Sequence, residues 1–143
     1  MTTVLVTGTN KGVGLEITRI LAGRGDKVIA CCRRPGEAQS LQEIEGDVDI
    51  REVAVGDDAS VQNLACDLNG IPIDVLINNA GTKGPETNRQ SALHMDFQGW
   101  ADAFNINSMG PVRMMQALMP NLRLADSPKV MTVTSQMGHF PWT

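Results

Sequence analysis

Val4-Leu5-Val6-Thr7-Gly8-Thr9-Asn10-Lys11-Gly12-Val13-Gly14 joins a short apolar run to a glycine-rich turn, and the residues behind the turn fall into helical spacing. Ile17, Ile20 and Leu21 recur at helical intervals, and Gly23 and Gly25 close the segment. A strand, a glycine loop and a helix in that order make a cradle for an anion. Positions without Cβ let backbone approach the anion closely, and the helix directs unpaired N–H groups and the positive end of its dipole at it. The spacing is G-x-x-x-G-x-G, not G-x-G-x-x-G, so the flanking strand and helix carry the assignment. A glycine-rich turn without a ligand is the alternative.

The next apolar run, Val28-Ile29-Ala30-Cys31-Cys32, reads as a second strand. An NAD site places an Asp or Glu near the end of that strand, about 20 residues past the glycines, to hold the ribose 2′-hydroxyl. This chain has Arg33 and Arg34 there, and Lys11 inside the glycine loop. Positive charge thus gathers where a 2′-phosphate lies, which predicts NADP(H) in preference to NAD(H). A solvated basic turn accounts for one of the two arginines equally well.

At 143 residues the chain is read as a single dinucleotide-binding domain, residues 1–143, long enough to bury a core. Its 42% hydrophobic and 20% charged residues exclude a disordered or collagen-like class. A net charge of -4 offers no general attraction to nucleic acid or to an anionic membrane. No apolar run approaches the ~18 residues of a membrane span, and the N-terminus lacks the pattern of a signal peptide, so a cytoplasmic location is expected. Cys31, Cys32 and Cys66 read as reduced thiols, the adjacent pair pointing to opposite faces of its strand. His94 and His139 stand alone, and no metal site is read.

Short apolar runs alternating with helical segments argue for an α/β fold, a doubly wound parallel sheet of the Rossmann type with five strands and four helices. Strands are expected at Thr3–Thr7, Lys27–Cys32, Asp49–Val55, Val75–Asn78 and Val130–Thr134. Helices are expected near Val13–Arg24, Glu37–Glu45, Ser60–Asp67 and Phe97–Leu118. Right-handed crossovers send the first three strands one way and the last two the other, leaving a crevice at the strand C-termini beside Gly8–Gly14.

Two further stretches carry candidate chemistry. Asn78-Asn79-Ala80-Gly81 closes the fourth strand with amides and small residues, suited to a ligand approach or to a plain tight turn. In Phe104-Asn105-Ile106-Asn107-Ser108-Met109-Gly110-Pro111, Pro111 has no N–H, so the carbonyl of Asn107 loses its helical partner and can hold a water or a side chain. Thr7-Gly8-x-x-x-Gly12-x-Gly14 together with Asn78-Asn79-Ala80-Gly81 resembles the short-chain dehydrogenase/reductase family, over essentially all 143 residues. Asn10-Lys11 within the loop is similar to its NADP-preferring, carbonyl-reductase-like members. The resemblance implies cofactor contacts at Gly8, Thr9, Asn10, Lys11, Gly12, Val13, Gly14, Arg33, Val55, Asn79, Ala80 and Gly81. It implies catalytic roles for Asn107, whose carbonyl holds a proton-relay water, and for Ser135, which hydrogen-bonds the substrate carbonyl. A serine at a strand end is otherwise a turn former.

Two departures from the family pattern stand out. Ala54-Val55-Gly56-Asp57 replaces the stretch that usually carries an Asp near adenine, leaving the contact to the Val55 backbone. The family's general acid is the tyrosine of a Tyr-x-x-x-Lys pair after the serine, and this chain has no tyrosine. The domain therefore reads as incomplete at its C-terminus and the 143 residues by themselves as inactive, with a small-molecule carbonyl or alcohol as substrate of the parent enzyme and a homo-oligomer as its full-length state. The competing reading is a non-catalytic nucleotide-binding module acting as a sensor or partner subunit. Phe140 and Trp142 are candidates for an apolar substrate wall or for loop packing.

Overall fold

The computed structural model describes residues 1–135. In chain order it comprises β1 (Thr3–Thr7), α1 (Gly12–Gly23), β2 (Lys27–Cys32), α2 (Gln39–Gln42), β3 (Val48–Glu52), α3 (Asp58–Asp67), β4 (Val75–Asn78), α4 (Phe97–Phe104), α5 (Gly110–Arg123) and β5 (Lys129–Thr132). Single 3-10 turns lie at Pro35–Glu37 and Thr87–Arg89. The five strands form one parallel sheet in the order β3-β2-β1-β4-β5, so the chain reverses its winding between β3 and β4, as the crossover rule requires. No helix among the described residues is long and apolar enough to cross a membrane.

Strand alternation divides the core into two layers. Leu5, Ile29, Cys31 and Leu76 pack against Val61, Leu64, Met114, Leu118 and Leu122 of α3 and α5. Val4, Val6, Val28, Ala30, Cys32 and Ile77 face the opposite way, toward Ala22 of α1 and Leu41 of α2. Full burial of each of the larger side chains contributes about 1.5–3 kcal/mol. Asn121, 3% exposed, fastens the end of α5 by donating Nδ2–H to the carbonyls of Leu68 (2.6 Å) and Ile71 (2.9 Å).

α1 and α3 depart from expectation by one or two residues at their ends, and four other elements differ as follows. β3 stops at Glu52 rather than Val55, because the chain turns there: the Ala54 N–H is taken by Ser60 Oγ and the Asp57 N–H by the Ala54 carbonyl. The helix expected over Glu37–Glu45 shrinks to the Pro35–Glu37 turn and the four residues of α2, with only Ala38 and Leu41 buried between them. β5 begins one residue earlier and ends two earlier than expected. The long helix over Phe97–Leu118 is divided by a π turn at Asn105–Met109, where the Gly110 N–H reaches back to the Asn105 carbonyl immediately before Pro111. Its apolar residues accordingly occupy two faces. Met114 and Leu118 are fully buried against the sheet, whereas Phe97, Trp100 and Phe104 are 72%, 56% and 58% exposed.

Cys31 and Cys32 lie in opposite core layers, and burial raises both thiols above their ordinary range. A thiol reagent under native conditions is expected to modify exposed Cys66 alone, and all three cysteines after unfolding. The folded chain keeps thiol protons that the unfolded chain releases. This contribution to stability is therefore complete below the ordinary thiol range and is lost progressively as pH rises from that range toward the raised values of the folded state, which urea melts at successive alkaline pH values would register.

Candidate functional site

β1 and β4 are neighbours, so their C-terminal ends meet, and the chemistry of that meeting is laid down by one hydroxyl and one amide. Thr7 Oγ1, on a residue 1% exposed, accepts the N–H of Asn79 at 3.0 Å and of Ala80 at 2.9 Å. Asn79 Nδ2 in turn donates to the carbonyls of Thr7 and Gly8, both at 3.1 Å. The two sequence stretches read separately as a glycine loop and an amide turn are thus one clasp. A Cβ at Gly8 would lie 2.9 Å from Ala80 Cα, and one at Gly14 would fall on the Gly8 carbonyl oxygen. Both glycines are required by contact, and Gly8 and Gly12 also take positive φ of 68° and 58°.

The loop is tied to β2 as well. Buried Thr9 donates from N–H (3.2 Å) and from Oγ1 (3.0 Å) to the Cys31 carbonyl. Its hydroxyl proton is therefore engaged by the strand, and Thr9 acts as an anchor of the loop. Asn10, Lys11, Gly12 and Val13 are exposed above it, and Gly14 is buried beneath. Lys11 is the N-cap of α1 without a side-chain cap, and the first turn holds no acid. Among the described residues the opening N–H groups of α1 have no side-chain acceptor, an arrangement that suits an anion.

Arg33 and Arg34 follow β2 and differ in state. Arg34 pairs with Glu37 at 3.4 Å, while Arg33 is exposed and has no ion pair among the described residues. Val55 is buried, 7% exposed, beyond the end of β3. Gly81 packs on Asn107, whose Oδ1 would stand 3.2 Å from a Cβ there. The Asn107 side chain holds Thr82 from both sides, Oδ1 accepting its N–H and Nδ2 donating to its carbonyl, each at 2.8 Å. Ser135 is exposed just past β5, whose register pairs Thr132 with Asn78, so it lies at the same sheet end as Asn79–Gly81. Phe140 and Trp142 lie outside the described residues.

Sequence reasoning did not single out the roles of Thr7, Asn105 and Arg113. Thr7 stands next to the glycine loop and carried a signal as a hydroxyl at a strand end. Asn105 and Arg113 reach residues 49 and 58 positions away, which spacing does not reveal.

The family described as short chain dehydrogenase matches residues 2–143, and the chain belongs to it. A (+)-neomenthol dehydrogenase of Arabidopsis thaliana is 29% identical over 95% of this chain and 54% of its own length. An NADP-dependent 3-hydroxy acid dehydrogenase of Escherichia coli K12 is 31% identical over 97% of this chain and 56% of its own. Among solved structures, a carbonyl reductase from Pseudomonas aeruginosa PAO1 superposes with a TM-score of 0.84 at 28% identity, covering 96% of this chain and 63% of that one. An NADPH-bound carbonyl reductase from chicken fatty liver gives 0.76 at 29% identity, covering 86% of this chain and 52% of that one. The chain spans about half the length of the curated relatives it matches.

Replacing Thr7 by Val strands two part-buried N–H groups just past β4, at a cost of about 1–2 kcal/mol for each donor left unpaired. Urea denaturation is expected to show Thr7→Val destabilised by about 2–4 kcal/mol and Thr7→Ser by under about 1 kcal/mol, since Ser keeps the acceptor. Equal losses in the two variants would assign the effect to packing instead.

Proposed function

We propose that this chain binds NADP(H) at the glycine loop and is the nucleotide-binding part of an oxidoreductase that moves hydride between nicotinamide and a carbonyl or alcohol carbon. The observation that carries the cofactor choice is the end of β2: no acid stands there, and Arg33 is exposed without an ion pair among the described residues while Arg34 is engaged by Glu37. The uncapped, acid-free start of α1 supports phosphate binding on backbone N–H groups, with Lys11 beside it. The bound nicotinamide supplies or accepts the hydride. The NADP-dependent dehydrogenase of Escherichia coli and the NADPH-bound reductase of chicken liver support the same choice by likeness.

In this reading the chain's own residues orient the reactants and handle charge. Ser135 donates its hydroxyl to the substrate oxygen, where negative charge builds as hydride arrives. The Asn107 carbonyl, whose i+4 position is Pro111 and so offers no N–H, is the group assigned to hold a water that relays the proton. These 143 residues contain no tyrosine, so the tyrosine proton donor of the family pattern is not among them. The exposed aromatic face of α4 supports association with a second copy in the full-length protein. The absence of tyrosine equally favours a second reading, a nucleotide-binding module without turnover. The coding sequence past Thr143 separates the two: a Tyr-x-x-x-Lys there supports the enzyme, and a stop codon supports the module.

Calorimetric titration at fixed low salt is expected to show tighter binding of NADPH than of NADH. Arg33→Ala should weaken NADPH by about 10- to 100-fold, the range of a charge-assisted hydrogen bond, and leave NADH nearly unchanged. Equal affinities for the two nucleotides in the unaltered chain would overturn the cofactor assignment.

By itself, the 143-residue chain is expected to oxidise no NADPH in the presence of aldehydes and ketones. A chain extended through a Tyr-x-x-x-Lys segment should do so, and Ser135→Ala in it should lower kcat by orders of magnitude while leaving NADPH affinity unchanged.

A further inference from the structure

The π turn between α4 and α5 carries two asparagines, and they grip different loops. Asn107 holds Thr82, which follows β4. Asn105 holds the loop that follows β3: its Nδ2 donates to the Gly56 carbonyl at 2.8 Å, and its Oδ1 accepts an Nη2–H of Arg113 at 2.8 Å. Arg113, one helical turn into α5, donates Nη1–H to the Val55 carbonyl at 2.6 Å and Nε–H to the Asp58 carboxylate. Its side chain is 14% exposed, against 85% for Asp58. This guanidinium therefore lies inside the seam between loop and helix and is not a surface ion pair.

The seam is closely packed. A Cβ at Gly56 would stand 3.0 Å from Asn105 Nδ2, and one at Gly110 would stand 3.0 Å from Val55 Cγ2. Val55 and Gly56 lie beyond the last residue of β3, so neighbouring strands do not fix their carbonyls. Both carbonyls are instead held by side chains that arrive from the other side of the topological reversal. Every peptide bond described is trans, so with the Val55 carbonyl turned to Arg113 the N–H of Gly56 must point away from α5. Arg113 and Asn105 thereby set which face of the loop is presented at the strand ends.

We infer that Arg113, acting with Asn105, is a positioning residue that sets the Val55-Gly56 loop as the adenosine wall of the nucleotide site. The inference rests on the nucleotide-binding reading above. It differs from the role given to Arg33, because it concerns adenosine itself and takes no account of the 2′-phosphate. One π turn consequently fixes both flanks of the crevice, the β3 loop through Asn105 and the β4 loop through Asn107.

The test is calorimetry of the 143-residue chain with ADP and with 2′,5′-ADP as separate probes. Arg113→Met is expected to weaken both by the same factor, about tenfold, for loss of one charge-assisted anchor. Arg113→Lys should recover part of the loss, since an ammonium still reaches the carboxylate or one carbonyl and cannot bridge to Asn105 as well. Asn105→Ala should weaken both probes, and its effect combined with Arg113→Met should fall short of the sum. Lowered thermal stability with unchanged affinity for both probes would reduce Arg113 to a structural tie and overturn the inference, as would a loss confined to 2′,5′-ADP. If Arg113→Met does not fold, the Arg113→Lys and Asn105→Ala comparisons decide by the same criteria. Failure of the unaltered chain to bind either probe would overturn the nucleotide-binding reading, and this inference with it.

Discussion

The hydroxyl of Thr7 holds two successive N–H groups of β4's end, and the Asn79 amide returns two hydrogen bonds to the carbonyls at the end of β1. This exchange of four bonds lies where two parallel strands stop pairing with each other and each must turn into a loop. Part-buried backbone groups left unpaired there carry a desolvation penalty, so the clasp helps both loops to leave the sheet at the same place. The glycines follow from it. Gly8 and Gly14 are packed so tightly against the clasp and against each other that a single methyl group would displace backbone, and the start of α1, which has no side-chain cap among the described residues, is thereby brought to the sheet's C-terminal edge.

A second constraint acts through the interrupted helix. Pro111 removes one N–H from the helical ladder, and the chain answers with a wider turn instead of a simple bend. That turn projects Asn105 and Asn107 toward two loops that leave the sheet on either side of the reversal point. Met114 and Leu118, further along, anchor α5 to the buried face of the sheet. The polar grip at one end of α5 and the apolar grip at the other are thus fixed relative to each other by a single rigid helix.

The fold was legible because its signals are local. β1, β2 and β4 have the bounds expected from their apolar runs, since each is a central strand buried on both faces. The errors fall where burial is partial. β3 is an edge strand whose last bond to β2 is the Val53 N–H on the Cys32 carbonyl, while apolar Val55 continues the pattern past it, and the segment around α2 buries too few side chains to sustain a longer helix. Part of the candidate site was legible in the same way: Gly8, Gly12, Gly14 and Arg33 are neighbours of the strands that position them.

The sequence by itself determined the order of strands and helices, the glycine loop, the basic end of β2 and the proline-interrupted helix, because each is written within a dozen residues. Only the tertiary structure decided that Asn79 serves the glycine loop, that Thr9 is tied to β2, that Arg34 but not Arg33 has an ion pair among the described residues, and that Arg113 holds a carbonyl 58 residues away. Those facts depend on which strand ends lie side by side. A hydrogen bond is made by proximity in space, and in a doubly wound sheet the residues that meet at the crevice come from parts of the chain that no spacing rule connects.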